Sequence, residues 1–253
     1  MLELWNNDTF TNPNIVYTFN REIVEYDLKE AGFSLTKEYN LLDKRTIDKL
    51  EKYKKDKRKI ELGQIQRENS VYRESLKEVF KEARRLFIEH NELEPSDIIS
   101  IKKDAIFTMR KCKYKEFGKH IFFRPKNYYT SYIHLTKNLE FYYNPRQLDI
   151  KGMNSENEKL HEDYMIKFIK TFFKKMETES PEVVLDYSKR FISKYKRKEL
   201  EVGYYRTFNS DSCYMLNDGS GDRYMEYWED EKDTLDISYN FHNILIKMIQ
   251  IPL

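Results

Sequence analysis

Cysteine is scarce in this chain of 253 residues, with Cys112 and Cys213 the only two. That excludes a disulfide-stapled secreted scaffold and fits a reducing compartment. Seven glycines and six prolines leave little material for long irregular loops. No run approaches the roughly 18 consecutive apolar residues of a membrane span, and the opening MLELWNNDTF lacks the basic-then-apolar order of a secretory signal. Neither sign of charge dominates, since 45 Lys and Arg against 43 Asp and Glu give a net charge of +2. Such a balance neither demands nor excludes nucleic acid, which only a local basic patch would argue for. No serine is framed as GxSxG and no Gly-rich phosphate loop is present. Cys112, His120 and His134 lack the spacing of a zinc site. A cytoplasmic protein without membrane association is expected.

What is present is apolar and aromatic. Hydrophobic residues make up 40% and aromatics 15%, with 20 Tyr and 16 Phe. That suffices for one large domain, or for one domain and a smaller second. The Lys-, Asn-, Tyr- and Ile-rich usage resembles that of AT-rich bacteria and their phages, so a phage-encoded protein is expected.

Ile15–Phe19 and Ile23–Leu28 read as strands, and 35–42 as a short helical piece. Residues 43–59 are dense in charge, and 64–90 read as one long helix. In it Leu76, Val79, Phe80, Ala83, Leu86 and Phe87 recur at intervals of three and four, the signature of one buried stripe. Ile98–Phe107 reads as a hairpin, and Lys119–Arg124 and Thr130–Leu135 as strands joined by a turn at Pro125-Lys126-Asn127. Residues 144–157, with Pro145 and Gly152, form the expected linker between a domain at 1–145 and a second at 158–253. Beyond it, helices are expected over 159–176 and from Ser180-Pro181 onward. A hairpin turn is expected at 217–221, and an apolar element over 237–251. The fold class is therefore α+β.

Two aspartates carry the chemistry. Asp27 closes the second strand and Asp104 lies inside the hairpin, with 76 residues between them. If those strands are neighbours, two carboxylates from distant sequence meet, as a divalent metal site for phosphate chemistry requires. The same residues also suit ordinary turn capping, and placement on opposite faces, or either carboxylate buried against an arginine, would end the enzyme reading. The run Lys54, Lys55, Lys57, Arg58 and Lys59, with Arg124 and Lys126, offers phosphate contacts to a nucleic-acid strand.

Asp27-Leu28-Lys29-Glu30-Ala31-Gly32-Phe33-Ser34-Leu35 resembles the first carboxylate motif of family A and B DNA polymerases and single-subunit RNA polymerases. Ser100-Ile101-Lys102-Lys103-Asp104-Ala105-Ile106-Phe107 looks like the second, the DTDSIF-type hairpin of family B. Asn69-Ser70-Val71-Tyr72 is similar to the NSxYG part of the nucleotide-binding helix. The resemblance covers about residues 15–110 and implies a palm-like antiparallel sheet with a long packing helix, followed by a C-terminal helical and β region. It implies Mg²⁺ or Mn²⁺ on Asp27 and Asp104, and nucleotide contacts from Gly32, Arg67, Asn69, Tyr72, Lys102 and Lys103. The implied activity is that of a small polymerase- or primase-like nucleotidyltransferase, with nucleic acid and nucleotides as partners. Lys102 replaces a carboxylate of the second motif, and Arg73 replaces the glycine after Tyr72. Gly32 stands where a bulky side chain screens out ribose. The alternative is a catalytically inactive palm-like factor that binds nucleic acid or a protein.

Overall fold

The computed structural model describes residues 3–136, 139–152 and 162–200; within 201–253 it describes only 206–207, 213–217, 223–227, 235–236 and 248. The chain is α+β and divides into two compact units. One is Met1–Val16 with Arg21–Thr130, the other Tyr17–Asn20 with Ser131–Leu253. The division falls at 130/131 rather than in the expected linker. Asn144 and Gln147 instead pair across a tight hairpin turn, where the Asn144 side chain accepts from the backbone N–H groups of Arg146 and Gln147. Turn chemistry there closes a hairpin and does not separate domains.

In chain order the elements of the first unit begin with β1 (Thr9–Thr11); β2 (Tyr17–Thr18) belongs to the second unit. Then come β3 (Ile23–Leu28), α1 (Ala31–Glu38), α2 (Lys44–Glu51), α3 (Lys55–Glu68), α4 (Ser70–His90), β4 (Ile98–Lys102), β5 (Ala105–Thr108), β6 (Glu116–Phe117) and β7 (Ile121–Tyr129). Their strands form one antiparallel sheet in the order β1-β4-β5-β3-β7-β6. Alternation along β3 sends Val24, Tyr26 and Leu28 into the core with α4 residues Leu76, Phe80, Ala83 and Phe87. The same alternation leaves Asp27 and Glu25 to the opposite face. Tyr26 and Phe123 pack on Phe87 at ring separations of 5.1 and 4.6 Å.

Two expectations fail here for local reasons. The long helix expected over 64–90 is broken at Asn69, whose backbone is extended at φ −116°, ψ 101°. Asn69 Oδ1 accepts from the N–H of Tyr72 at 2.9 Å, so the residue caps α4 and ends α3. A single short polar residue suffices, because its side chain satisfies a donor that the next helix start leaves orphaned. The expected turn at Pro125-Lys126-Asn127 is instead the middle of β7. Tyr26 pairs with Pro125 and Glu25 with Asn127, so Lys126 is the extra residue of a β-bulge. Proline is tolerated at such a point because the ladder is already interrupted.

In the second unit, β8 (Ser131–Thr136), β9 (Leu139–Asn144) and β10 (Gln147–Lys151) form a sheet in the order β10-β9-β8-β2. Its core joins Ile133, Phe141 and Tyr143 to Phe168, Phe172 and Phe173 of α5 (Glu162–Thr178) and to Val184 and Tyr195 of α6 (Pro181–Lys196). Two further antiparallel pairs complete the described strands. They join β11 (Arg206–Thr207) to β14 (Leu235–Asp236), and β12 (Cys213–Asn217) to β13 (Arg223–Tyr227). The expected turn at 217–221 lies, after Asn217, outside the described residues, as does nearly all of 237–251. No helix among the described residues is long and apolar enough to cross a membrane.

Replacing Asn69 by Ala removes the α4 cap and should cost about 1 kcal/mol. Chemical denaturation should show the loss, and Asn69→Asp, which keeps the accepting oxygen, should restore most of it.

Candidate functional site

A cleft of about 470 Å³ opens where β3, the β4–β5 turn and β7 meet α1, α3 and α4. Its floor holds Asp27 and Asp104. Register brings them together: Asp27 pairs with Ala105 across β3 and β5, and the N–H of Leu28 donates to the carbonyl of Asp104 at 2.9 Å. Burial first, and the Asp27 carboxylate second among the raising influences, push the Asp104 carboxyl above its ordinary range. Its own backbone N–H, Lys103 and Lys126 pull the other way without offsetting the burial.

Cations close on the other carboxylate. Arg124 Nη2 lies 3.2 Å from Asp27 Oδ2, and Lys126 Nζ lies 3.8 Å from Asp27 Oδ1. The bulge explains Lys126, since one added residue re-aims its side chain onto the carboxylate face. Glu25, 2% exposed, anchors it at 3.1 Å and also accepts from Asn127 Nδ2 at 2.6 Å and Tyr129 Oη at 3.1 Å. A buried carboxylate with three donors is satisfied. Burial lowers the Lys126 ammonium, but Glu25, Asp27 and Asp104 together outweigh it and raise the pKa. Lys126 stays charged.

Asp104 is presented by a strained turn. Lys103 sits in the left-handed region at φ 56°, which is costly for a residue with a Cβ. Arg84, 1% exposed on α4, holds it there. Its Nη1 donates to the Lys103 carbonyl at 2.9 Å, its Nε to the Trp5 carbonyl at 2.9 Å and its Nη2 to Asp8 Oδ1 at 3.1 Å. The N–H of Lys103 donates in turn to the Asp8 carbonyl at 2.6 Å.

The opposite wall is α3. Lys55, Arg58, Lys59, Leu62, Gly63 and Gln66 line the cleft at the three- and four-residue spacing of one helical face. Arg58 is fixed by Glu30 and by the carbonyls of Leu50 and Tyr53, at 3.0 and 2.9 Å for the latter two, and lies 4.4 Å from the Phe33 ring centroid. Six basic side chains (Lys55, Arg58, Lys59, Lys103, Arg124 and Lys126) face three acidic ones (Asp27, Glu30 and Asp104) around the cleft. The excess of positive charge suits a polyphosphate. A Cβ built on Gly32 or Gly63 meets nothing within 4 Å, so both walls have room.

Of the residues expected at the site, the cleft gathers Asp27, Asp104, Gly32, Tyr72, Lys103, Lys55, Arg58, Lys59, Arg124 and Lys126. Arg67, Asn69, Lys102, Lys54 and Lys57 do not line it. Arg67 Nε donates to the Gly63 carbonyl, Asn69 is spent on its cap, and Lys102 Nζ donates to Thr11 Oγ1 at 3.0 Å. Lys57 Nζ stands 4.2 Å from the Tyr53 ring centroid. Tyr72 is 2% exposed, and its hydroxyl meets Thr36 Oγ1 at 2.8 Å. Sequence reasoning missed Arg84 and Glu25. Each left a signal, a charged residue inside an otherwise apolar period.

For a divalent cation, the carboxylate oxygens of Asp27 and Asp104 are the hard donors that Mg²⁺ or Mn²⁺ takes. Among the described residues no group of three or more His, Cys, Asp or Glu is placed to hold a metal. A cation here would complete its shell with water and phosphate oxygens, as Mg²⁺ commonly does.

The site belongs to a phage-encoded α+β protein. The chain belongs to the family of the bacteriophage PBS1 gene 130 protein, whose model matches residues 1–253. No curated protein matches it.

The raised Asp104 carboxyl has a thermodynamic consequence. A group whose folded value lies above its unfolded one lends stability below the unfolded pKa and loses it as pH rises through the folded pKa. Ionised Asp104 thus weakens the fold at neutral pH. Asp104→Asn should raise Tm by a few degrees at pH 7, and the gain should vanish near pH 3, where the native carboxyl is protonated.

Proposed function

We propose that the first unit is a palm-like nucleotidyltransferase centre that takes a nucleoside triphosphate with Mg²⁺ or Mn²⁺. The observation that carries this reading is the meeting of Asp27 and Asp104 in one cleft ringed by six cations. Support also comes from the order of the elements, a strand ending in one aspartate, a long packing helix and a hairpin bearing the other, which resembles polymerase palms. A bound divalent ion supplies charge neutralisation and activation of an attacking hydroxyl. The chain's own residues do the rest. Asp27 and Asp104 hold the ion, while Lys103, Lys55 and Lys59 meet phosphate oxygens. Arg124, whose side chain is 43% exposed, is free to turn from Asp27 to the triphosphate. Gly32 leaves the wall without a side chain, so ribonucleotides enter as well as deoxyribonucleotides.

A second reading rests on the ion pairs of Asp27. Arg124 and Lys126 already neutralise it, as they would in a factor that binds nucleic acid or nucleotide without turning it over. The two readings differ in their need for metal.

Mg²⁺ or Mn²⁺ should stabilise the wild type, by about 2.7 kcal/mol at a hundredfold excess over Kd. Asp27→Asn and Asp104→Asn should abolish that shift. Both should also lower metal-dependent nucleotide incorporation on a primed template by about a hundredfold or more. Nucleotide binding that is indifferent to chelator and survives both substitutions would select the second reading. If the enzyme reading holds, Gly32→Tyr should depress incorporation of ribonucleotides relative to deoxyribonucleotides, read from the ratio of the two kcat/KM values.

A further inference from the structure

The basic run of the sequence does not converge on one place. Lys55, Arg58 and Lys59 face the cleft, whereas a separate set of cations lies on α2. Ile47 and Leu50 are the buried residues of α2. At 100° per residue, Arg45, Lys49 and Lys52 fall on the opposite side of the helix. With Lys44 and Asp48 they border a shallow concavity, and all five are exposed. Among the described residues no carboxylate pairs with Lys44, Arg45, Lys49 or Lys52. Lys44 and Arg45 occupy the first turn of α2, which carries no acidic residue. Cations there oppose the positive end of the helix dipole, so the fold does not account for them. The stripe from Arg45 to Lys52 runs about 10 Å along the axis, the rise of about three nucleotides in one strand of a duplex. Lys49 lies 5.9 Å from the half-buried Tyr53 ring, and among the four cations no aromatic or aliphatic side chain is exposed to anchor a protein partner.

We propose that the solvent face of α2 binds the phosphate backbone of a nucleic-acid strand, as a site separate from the cleft. Contacts of this kind are sequence-independent and salt-sensitive, because each neutralised phosphate releases counterions. The proposal does not require the cleft to be catalytic.

The test is fluorescence anisotropy with a labelled 30-nucleotide single strand in EDTA, without nucleotide, from about 50 to 200 mM KCl. Lys44→Glu, Arg45→Glu, Lys49→Glu and Lys52→Glu are combined in one variant. The control combines Lys167→Glu, Lys170→Glu, Lys174→Glu and Lys189→Glu, exposed positions of α5 and α6 with the same change in charge. The α2 variant should lose about tenfold or more in affinity at low salt. Its log–log salt slope should be shallower by about 3, the share of four phosphates on a single strand. The control should stay within about twofold of wild type. Glutamates at 44 and 45 favour the first turn of α2, but those at 49 and 52 oppose the C-terminal end of the dipole and crowd Asp48 and Glu51. A second variant with Gln at the same four positions removes the cations without adding charge, and it should keep the wild-type Tm and still lose affinity. Equal affinity of the α2 variant and wild type would overturn the proposal. So would equal losses in both variants, or displacement of the strand by polyglutamate at the same charge concentration. Since metal and nucleotide are absent, failure here leaves the cleft reading intact, and failure of that reading leaves this binding measurable.

Discussion

Everything in the cleft depends on the register between β3 and β5. With Asp27 opposite Ala105, the carboxylate of β3 stands beside the turn that carries Asp104, and Val24, Tyr26 and Leu28 reach α4. A slip of one residue would exchange the two faces of β3, driving Asp27 and Glu25 into an apolar core and Tyr26 into the cleft. The penalty for burying unpaired carboxylates is severe, so the core that stabilises the unit also fixes the chemistry of its floor. Folding and site geometry are one constraint here.

Around that register the structure commits buried polar groups. Arg84 ties α4, the N-terminal segment and the Lys103 turn into one knot, and Glu25 locks Lys126 beside Asp27. Both are charged, both are nearly inaccessible, and both have every neighbour they need. Their effect is to hold two carboxylates and several cations at fixed places before any ligand arrives. Preorganisation of this kind is what binding or transferring phosphate demands. The six-to-three excess of basic side chains leaves the cleft with a net positive lining.

Strong periodicity is the readable part of the fold. The stripe from Leu76 to Phe87 announces α4, alternation announces β3, and two short apolar runs announce the β4–β5 hairpin. The features that escape depend on single residues answering to distant ones. Asn69 interrupts what reads as one continuous helix because a cap outweighs helix propensity at one position. Pro125 signals a turn locally, yet β3 pairs across it and the extra residue becomes a bulge. Asn144 and Pro145 serve a hairpin turn, since the same residue types close hairpins and join domains. Of the site, Asp27 is readable as the close of a strand and Asp104 as a residue inside a hairpin, while Lys103 enters only through the resemblance to polymerase motifs. Arg84 and Glu25 leave only the signal of a charge among apolar residues, because partners such as Asp8 and Lys126 lie far off in sequence. Lys102 and Lys103 are adjacent but diverge, since Lys102 ends β4 while Lys103 sits in the turn with left-handed backbone.

α3 has no buried residue although it forms one wall of the cleft. Its Leu62 and Ile65 are partly buried against the core, whereas Val24, Tyr26 and Leu28 of β3 are fully buried within it. Local stability follows buried contacts, so the amide hydrogens of 55–68 exchange with solvent well ahead of those of 23–28. The wall that bears Lys55 and Lys59 is thus held by half-buried side chains, and the floor that bears Asp27 by fully buried ones.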